Sequence, residues 1–469
     1  MRTHIKDLSA SVGQEVSVSA WVDVRRDQGK MVFLDLRDVT GKVQAVVLPN
    51  HEEALVVAQQ VRTEWVLEVK ALVNKRPEKN IKEGIVNGSI ELEVLHITAL
   101  NEATTPAFDI STDGYEVNEE VRLAKRYLDQ RRERVQHNVR TRHKVMKFLR
   151  DEFDAQGFLE IETPLLTNPT PEGSRSYLVP SRLWQGTFYA LPQSPQQYKQ
   201  LLMAGGFERY FQFAKCMRDE DTRGDRQPEF TQLDMEMSFV TQEDVMRLNE
   251  GLLIKLVTTL FPEKKIQTVP FPRFTYKEVM EKYGSDKPDL RTDKNDPSLL
   301  AFCWVTDFPA FEKTAEDNVD STGEWTFTHN PFTGVKDEYV SDLLEKKNIA
   351  SIISTQYDVV LNGYELGGGG IRLHTPKLLR NVFEIMGYSS ERIEQNFGHM
   401  LEALGSGTPP HGGIAWGFDR LMMILLNEPN IRETMAFPKT GEGKDLLMQA
   451  PSPAPEKTLR ELGIECKKK

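Results

Sequence analysis

Apolar residues recur at every second position in five stretches of the first hundred residues, the spacing of a strand with one face turned to a core. The runs are Val16, Val18, Ala20, Val22 and Val24; Val32, Leu34 and Leu36; Val43, Ala45 and Val47; Trp65, Leu67, Val69, Ala71 and Val73; and Ile90, Leu92 and Val94. Residues 52–61 have helical spacing and fall between the third and fourth runs. Five strands with a helix after the third predict an OB-type β barrel, which binds single-stranded nucleic acid on one face. The same period assigns the outward side chains: if the apolar residues fill the barrel, Phe33, Gln44 and Glu91 point out. An exposed aromatic beside hydrogen-bonding groups is what base stacking and base-edge recognition require. Arg25, Arg26, Lys30 and Arg37 lie nearby in sequence and can meet phosphates. On the pattern alone, Phe33 reads equally well as an isolated surface hydrophobe.

After residue 100 the pattern changes. Residues 101–136 are polar and charged, with Pro106, Asp113-Gly114 and Arg131-Arg132-Glu133-Arg134. They predict a linker, taken as 105–136, between a barrel domain at 1–104 and a larger domain at 137–469. Val145, Phe148, Leu149 and Phe153 then have helical spacing, and Gly157 ends that helix. Residues 158–163 read as a strand closed by Pro164. From there to residue 452, strands such as 358–361 and 371–373 alternate irregularly with helices. This is an α+β pattern around a mainly antiparallel sheet.

Composition adds exclusions. No run of about 18 apolar residues exists, so no transmembrane helix is expected. The first residues lack the apolar core of a signal peptide. Cys216, Cys303 and Cys466 are widely spaced, which fits a reducing cytosol and offers no metal spacing. A cytoplasmic protein without membrane attachment is therefore expected. A net charge of −11 argues mildly against nucleic-acid binding, since phosphate contacts need Lys and Arg. A local basic surface on a large acidic protein remains compatible with it.

Three separated segments concentrate chemistry. Residues 218–234 form a long charged stretch between an apolar run at 210–213 and an alternating one at 233–239, hence a strand, a charged loop and a strand. A solvated hairpin tip is the simpler reading of such a charge run. Residues 358–372 contain Gly367-Gly368-Gly369-Gly370, read as a polyglycine turn between strands at which a ligand can approach the backbone. Asp358 and Glu365 bracket it and can hold Mg²⁺ through carboxylate oxygens; a flexible hairpin accounts for the spacing as well. The G-x-G-x-x-G of a dinucleotide site is absent. Residues 412–420, Gly-Gly-Ile-Ala-Trp-Gly-Phe-Asp-Arg, lead into an apolar helix. They set Arg420 at its N-terminal end, where a cation can meet a phosphate that also feels the helix dipole.

These segments carry a resemblance. The helix and strand ending at Pro164, the stretch from Arg218-Asp219-Glu220 to Phe230, and Gly412 to Arg420 resemble motifs 1, 2 and 3 of the class II aminoacyl-tRNA synthetases, in order. The N-terminal barrel is similar to that of the aspartate, asparagine and lysine subgroup. Gln193-Ser194-Pro195-Gln196-Gln197-Tyr198-Lys199, Arg226-Gln227-Pro228-Glu229-Phe230-Thr231-Gln232 and Ala436-Phe437-Pro438-Lys439-Thr440 look like aspartyl-tRNA synthetases of the bacterial type. The likeness covers nearly the whole chain.

The resemblance implies an ATP- and Mg²⁺-dependent ligase that joins L-aspartate to tRNA(Asp), and acts as a homodimer built on motif 1. Charging of tRNA(Asn) as well, or a non-catalytic RNA-binding paralogue, are the alternatives. It implies phosphate contacts for Arg218 and Arg420. Adenine recognition falls to Glu220 with Phe230 stacking, and Gln227 joins the ATP site. Mg²⁺ ligation falls to Asp358 and Glu365. Glu172, Gln196, Gln232 and Asp234 surround the substrate's ammonium and backbone. Lys199 and Arg372 bind its side-chain carboxylate, with His329 nearby. Arg26, Phe33, Gln44 and Glu91 match anticodon-binding positions. Two departures stand out. The large inserted domain expected after Lys287-Pro288-Asp289-Leu290-Arg291 is missing, with only a short connector near 292–302. Asn330 follows His329 where relatives often have a second histidine.

Overall fold

The alternating runs of the first hundred residues close on themselves. In the computed structural model, which describes residues 2–170, 174–315 and 322–466, the strands are β1 (Glu15–Gln28), β2 (Met31–Asp38), β3 (Gly41–Val47), β4 (Val66–Lys75) and β5 (Ile90–Asn101). They form a closed barrel in the order β1-β2-β3-β5-β4. Helix α1 (Glu52–Ala58) lies between β3 and β4 and buries Ala54 and Ala58. The predicted inward residues of β2 to β5 are all buried. In β1, Val18, Ala20 and Val22 are buried, Val16 is half-buried and Val24 is exposed. A bulge in the β1–β2 pairing between Val22 and Val24 shifts the alternation there, leaving Val24 37% exposed. Ile5 and Leu8, in a short 3₁₀ turn, join the same core.

The chain divides into two units between Ile110 and Ser111. This corrects the expected linker at 105–136. Residues from 111 belong to the second unit and form α2 (Glu119–Ala124), α3 (Arg126–Asp129) and the start of α4 (Glu133–Ala155). Arg122, Arg126 and Arg132 all bind the fully buried Asp129, and Arg122 also binds Glu433. A run of arginines that looks solvated in sequence is thus an internal ion network. Removing one partner of such a buried set costs roughly 3–5 kcal/mol.

The second unit is built on a sheet whose described strands number eight. They are β6 (Leu159–Glu160), β7 (Arg209–Met217), β8 (Glu229–Ser238), β9 (Arg273–Thr275), β10 (Phe302–Thr306), β11 (Gln356–Leu361), β12 (Tyr364–Ile371) and β13 (His411–Gly417). Their order is β9-β10-β11-β12-β13-β8-β7-β6. The central pairs are antiparallel, and β9–β10 and β6–β7 are parallel. One face packs on α4 and on α6 (Gln242–Leu260), with Phe153 stacked on Phe211 at 4.7 Å.

The four consecutive glycines are not a turn. They lie inside β12, and the turn is Asn362-Gly363, both with positive φ. The reason is close packing. A Cβ at Gly369 would meet the Gly413 carbonyl at 2.3 Å, and one at Gly367 the Ala415 carbonyl at 2.7 Å. Side chains there would prise β12 from β13.

Candidate active site and nucleic-acid interface

Strands β7 and β8 pair from Arg209 opposite Met237 to Met217 opposite Glu229, so the charged segment 218–228 is the loop that joins them. It forms one wall of a cleft of about 720 Å³ lined by Arg218, Glu220, Gln227, Phe230, Glu365 and Arg420. The residues expected from sequence to hold ATP are therefore brought together. Arg218 lies over the Phe230 ring at 5.2 Å, which leaves a cation and an aromatic face at one end of the cleft. Arg420 sits in the first turn of α7 (Phe418–Leu425). Its guanidinium donates to the Glu365 carbonyl oxygen and, at 3.0 Å, to Asp225. Arg226 pairs with Glu220 at 3.3 Å. One acidic and one basic residue of the loop, Asp225 and Arg226, thus occupy the groups expected to meet phosphate and adenine. Gln227 accepts from the Lys439 amide at 3.0 Å.

A smaller cavity of about 230 Å³ adjoins this cleft and shares Arg218, Gln232, His329 and Glu365 with it. Helix α5 (Gln196–Ala204) supplies Gln196 and Lys199, β8 supplies Asp234, and Arg372 follows β12. Lys199 donates to Asp234 at 2.6 Å and lies 3.2 Å from Glu236. Arg372 grips Glu236 through Nε and Nη2 at 2.9 and 3.2 Å. All four charges are nearly or fully buried. Burial alone would raise the Glu236 pKa, but Arg372 and then Lys199 outweigh it and hold it at about 2.

Asp234, grouped in sequence with the residues around a substrate ammonium, lines this cavity and accepts from Lys199. Glu236 was missed altogether. Its signal was present, since two carboxylates two apart on one strand, each flanked by apolar residues, face the same side. The cations are therefore already neutralised, and what the cavity retains is hydrogen-bonding polarity. Asp234 takes one Lys199 N–H and Glu236 lies at ion-pair distance from the same ammonium, while Arg372 commits Nε and Nη2 to Glu236. Lys199 Nζ and Arg372 Nη1 keep N–H groups for a ligand that accepts at both positions.

Asp358 and Glu365 meet across β11 and β12. Asp358 opposes Gly368 and Glu365 opposes Val360, with a bulge between Val359 and Val360. A Cβ on Gly368 would stand 3.0 Å from one Asp358 oxygen and 3.5 Å from one of Glu365. Burial, then the Glu365 charge, raises the Asp358 pKa well above the usual carboxylate range. Two carboxylates that repel each other beside a strand bare of side chains fit a hard divalent cation, which can complete its shell with phosphate oxygens and water. His329 packs edge-on to Phe308 at 5.2 Å, and burial lowers its pKa. Asn330 accepts from the Phe332 amide at 3.0 Å. Glu172 lies outside the described residues.

The barrel presents its own site. Arg26 opposes Phe33 across β1 and β2, and Gln44 opposes Asp35 across β2 and β3. Phe33, Gln44 and Glu91 are half-buried between inward-facing neighbours, so the period-two assignment holds. Arg76, which sequence reasoning missed, donates to Gln44 at 2.8 Å and lies 3.7 Å from Glu91. Arg26 pairs with Asp35 at 2.9 Å. The face offers one aromatic among ordered donors and acceptors.

The geometry of cleft, cavity and barrel agrees with comparison to known proteins. Residues 118–441 match the family of tRNA synthetases class II (D, K and N), and residues 16–100 match the OB-fold nucleic acid binding domain. The chain belongs to the class II tRNA synthetases. It is 40% identical to an aspartate–tRNA(Asp/Asn) ligase of Rubrobacter xylanophilus, over 99% of this chain and 96% of that one. It is 38% identical to an aspartate–tRNA ligase of Staphylococcus carnosus, over 97% of each. The Rubrobacter alignment spans 588 positions against the 469 residues of this chain, so the relative carries residues with no counterpart here. Among solved structures, asparaginyl-tRNA synthetase from Pyrococcus horikoshii, complexed with asparaginyl-adenylate, shares the fold. Its TM-score is 0.74 at 20% identity, over 94% of this chain and 98% of that one.

Proposed function

We propose that this chain is an aspartate–tRNA ligase that activates L-aspartate with ATP and transfers it to tRNA(Asp). The observation that carries the reading is a polar cavity lined by Lys199 and Arg372 that adjoins a cleft lined by Arg218 and Arg420. Relatives at 38–40% identity that are named for this activity support it.

The chemistry needs no protein nucleophile. An oxygen of the aspartate α-carboxylate bonds to the α-phosphorus of ATP, and the bond to pyrophosphate breaks. The 3′-terminal ribose hydroxyl of the tRNA then attacks the carbonyl carbon of the mixed anhydride and releases AMP. Positioning and charge stabilisation supply the rate. Arg218 holds the α-phosphate and Arg420 the γ-phosphate, while Phe230 stacks on adenine and Glu220 reads its amino group. Mg²⁺ held by Asp358 and Glu365 supplies Lewis-acid charge to the phosphates when bound. Glu172, Gln196, Gln232 and Asp234 meet the ammonium and backbone of the amino acid. Its side-chain carboxylate accepts from Lys199 and Arg372. Asparagine would turn an N–H toward one of those donors, and a site that leaves buried polar groups unpaired discriminates strongly. His329 lines the junction of cleft and cavity.

Arg26, Phe33, Gln44 and Glu91 read the anticodon, and the protein works in the cytoplasm. No helix among the described residues is long and apolar enough to cross a membrane. A homodimer built on motif 1 is proposed, supported by exposed apolar residues in and after that motif. Leu159, Leu165, Leu166, Leu178, Leu183 and Trp184 are exposed, the last two by 74% and 70%, and a patch of this kind marks a partner surface. A single sedimenting monomer at micromolar concentration would exclude it.

Two assays test the function together. ATP–pyrophosphate exchange should proceed with aspartate and barely with asparagine or lysine; equal exchange with asparagine sinks the assignment. Charging is then measured on purified tRNA(Asp) and tRNA(Asn), the second because the Rubrobacter relative is named for both. Phe33→Ala should weaken charging about ten- to a hundredfold in kcat/KM, as expected for a lost stacking contact. Exchange without tRNA should be untouched. If charging survives intact, Phe33 is a bystander.

A further inference from the structure

Behind Gln196 runs a line of buried polar groups, Gln200 and His411, that the mechanism above does not use. Gln196 and Gln200 lie four apart on α5, hence on one helix face. Gln196 Nε2 donates to Gln200 Oε1 at 3.0 Å. Gln200 Nε2 lies 3.1 Å from His411 Nε2, and His411 Nδ1 lies 2.8 Å from the Pro409 carbonyl oxygen. The three side chains are 3%, 1% and 0% exposed. The imidazole cannot drift, because His411 opposes Ser238 in β8 and its carbonyl accepts from the Arg372 amide at 2.9 Å.

The direction of every bond in this line follows from its far end. A carbonyl oxygen only accepts, so His411 Nδ1 carries the proton there. In a neutral ring Nε2 is then an acceptor, and Gln200 must turn its amide nitrogen toward it. Gln200 Oε1 consequently faces α5 and takes the Gln196 N–H. With its nitrogen committed in that way, Gln196 presents its carbonyl oxygen to the cavity it lines. An amide free to flip would offer an N–H as readily as a C=O, and an ammonium group would meet repulsion in half of the arrangements.

We infer that His411 is a positioning residue. Through Gln200 it fixes the amide of Gln196 so that the amino acid's ammonium meets an oxygen and never an N–H. The inference rests on the proposed role of Gln196 in binding that ammonium. Two further observations fit it. Burial lowers the His411 pKa, keeping the ring neutral although Glu236 opposes this; Arg372 and His374 act in the same sense as burial. A row of three polar groups in a site otherwise packed by β8 and α5 is tolerable only when each is satisfied, and this row ends at the cavity.

The test is ATP–pyrophosphate exchange with L-aspartate on full-length variants. His411→Leu keeps volume but removes the acceptor. It should raise the KM for aspartate about ten- to a hundredfold, the loss expected for a hydrogen bond to a charged group. The KM for ATP should stay within about twofold, because the cleft is not touched. His411→Gln, whose Oε1 can replace Nε2 as acceptor, should restore most of the aspartate KM. A purely structural role would instead move both KM values, or kcat, and would not be rescued by Gln. Should His411→Leu fail to fold, Gln200→Met breaks the same line from the helix side and carries the same expectation. Gln196→Leu separates the two layers of the argument. If it raises the aspartate KM while His411→Leu and Gln200→Met do not, the relay is wrong and the ammonium assignment stands. If Gln196→Leu itself leaves the aspartate KM unchanged, the ammonium assignment fails and the relay with it.

Discussion

Replacing Arg420 with Ala is expected to slow aspartate-dependent ATP–pyrophosphate exchange by roughly two to three orders of magnitude, and Arg218→Ala should do the same. That is the magnitude for losing one preorganised group aimed at developing charge in a water-poor site. Arg420 is suited to this because its backbone opens a helix whose N-terminal dipole favours anions, and because its side chain is held by the Glu365 carbonyl. Folding should be unaffected. The other partner of Arg420, Asp225, is a loop carboxylate whose side chain is 27% exposed, and an ion pair at that exposure contributes little to stability. Unchanged circular dichroism with near-normal exchange in either variant would remove the phosphate role. The cost should fall mainly on kcat, since charge that develops on the departing pyrophosphate is present only beyond the ground state.

Why some of this was legible in sequence and some was not follows from where each side chain points. The barrel was readable because each strand has one wet and one dry face, so period two exposes both the core and the outward Phe33, Gln44 and Glu91. It failed at Val24 because a bulge changes the count without changing the letters. The glycines of β12 misled because composition alone makes Gly a turn former. What excludes side chains there is the neighbouring strand, a long-range fact. The arginines at 122, 126 and 132 misled in the opposite direction. A buried ion network has the composition of a linker, and only the arrival of Glu433 from three hundred residues away distinguishes them. The active-site residues were found through motif resemblance, and the structure gathers those it describes into one cleft and its adjoining cavity. Their helpers were not found, because Glu236, Gln200 and His411 act through other residues, and such partners carry no motif of their own.

The Lys199, Asp234, Glu236 and Arg372 cluster separates binding from stability, and Arg372→Leu is the variant that tests both. Exchange with aspartate should fall by about a thousandfold or more in kcat/KM, since the substrate carboxylate loses a charged donor in a buried site and the site loses its geometry. Stability should fall too, by roughly 3–5 kcal/mol, because Glu236 is left as a buried carboxylate with only the shared Lys199 beside it. The pH dependence has a definite sign. In the native protein Glu236 has a folded pKa of about 2, below its ordinary 4.5. Its contribution is therefore present above the unfolded value and lost as pH falls through the folded one. Without Arg372 the first of the two cations that hold it down is gone, and burial pushes the folded pKa upward against Lys199 alone. The deficit of the variant should then shrink as pH is lowered toward that raised value, where protonation relieves the stranded charge. Adding Glu236→Gln removes that charge outright. The double variant should recover most of the lost unfolding free energy at neutral pH and none of the aspartate exchange. Recovery of exchange in the double variant would mean that Arg372 only neutralises Glu236 and never touches the substrate. Failure to recover stability would mean that the destabilisation comes from repacking of β12 against β13, not from an unpaired carboxylate.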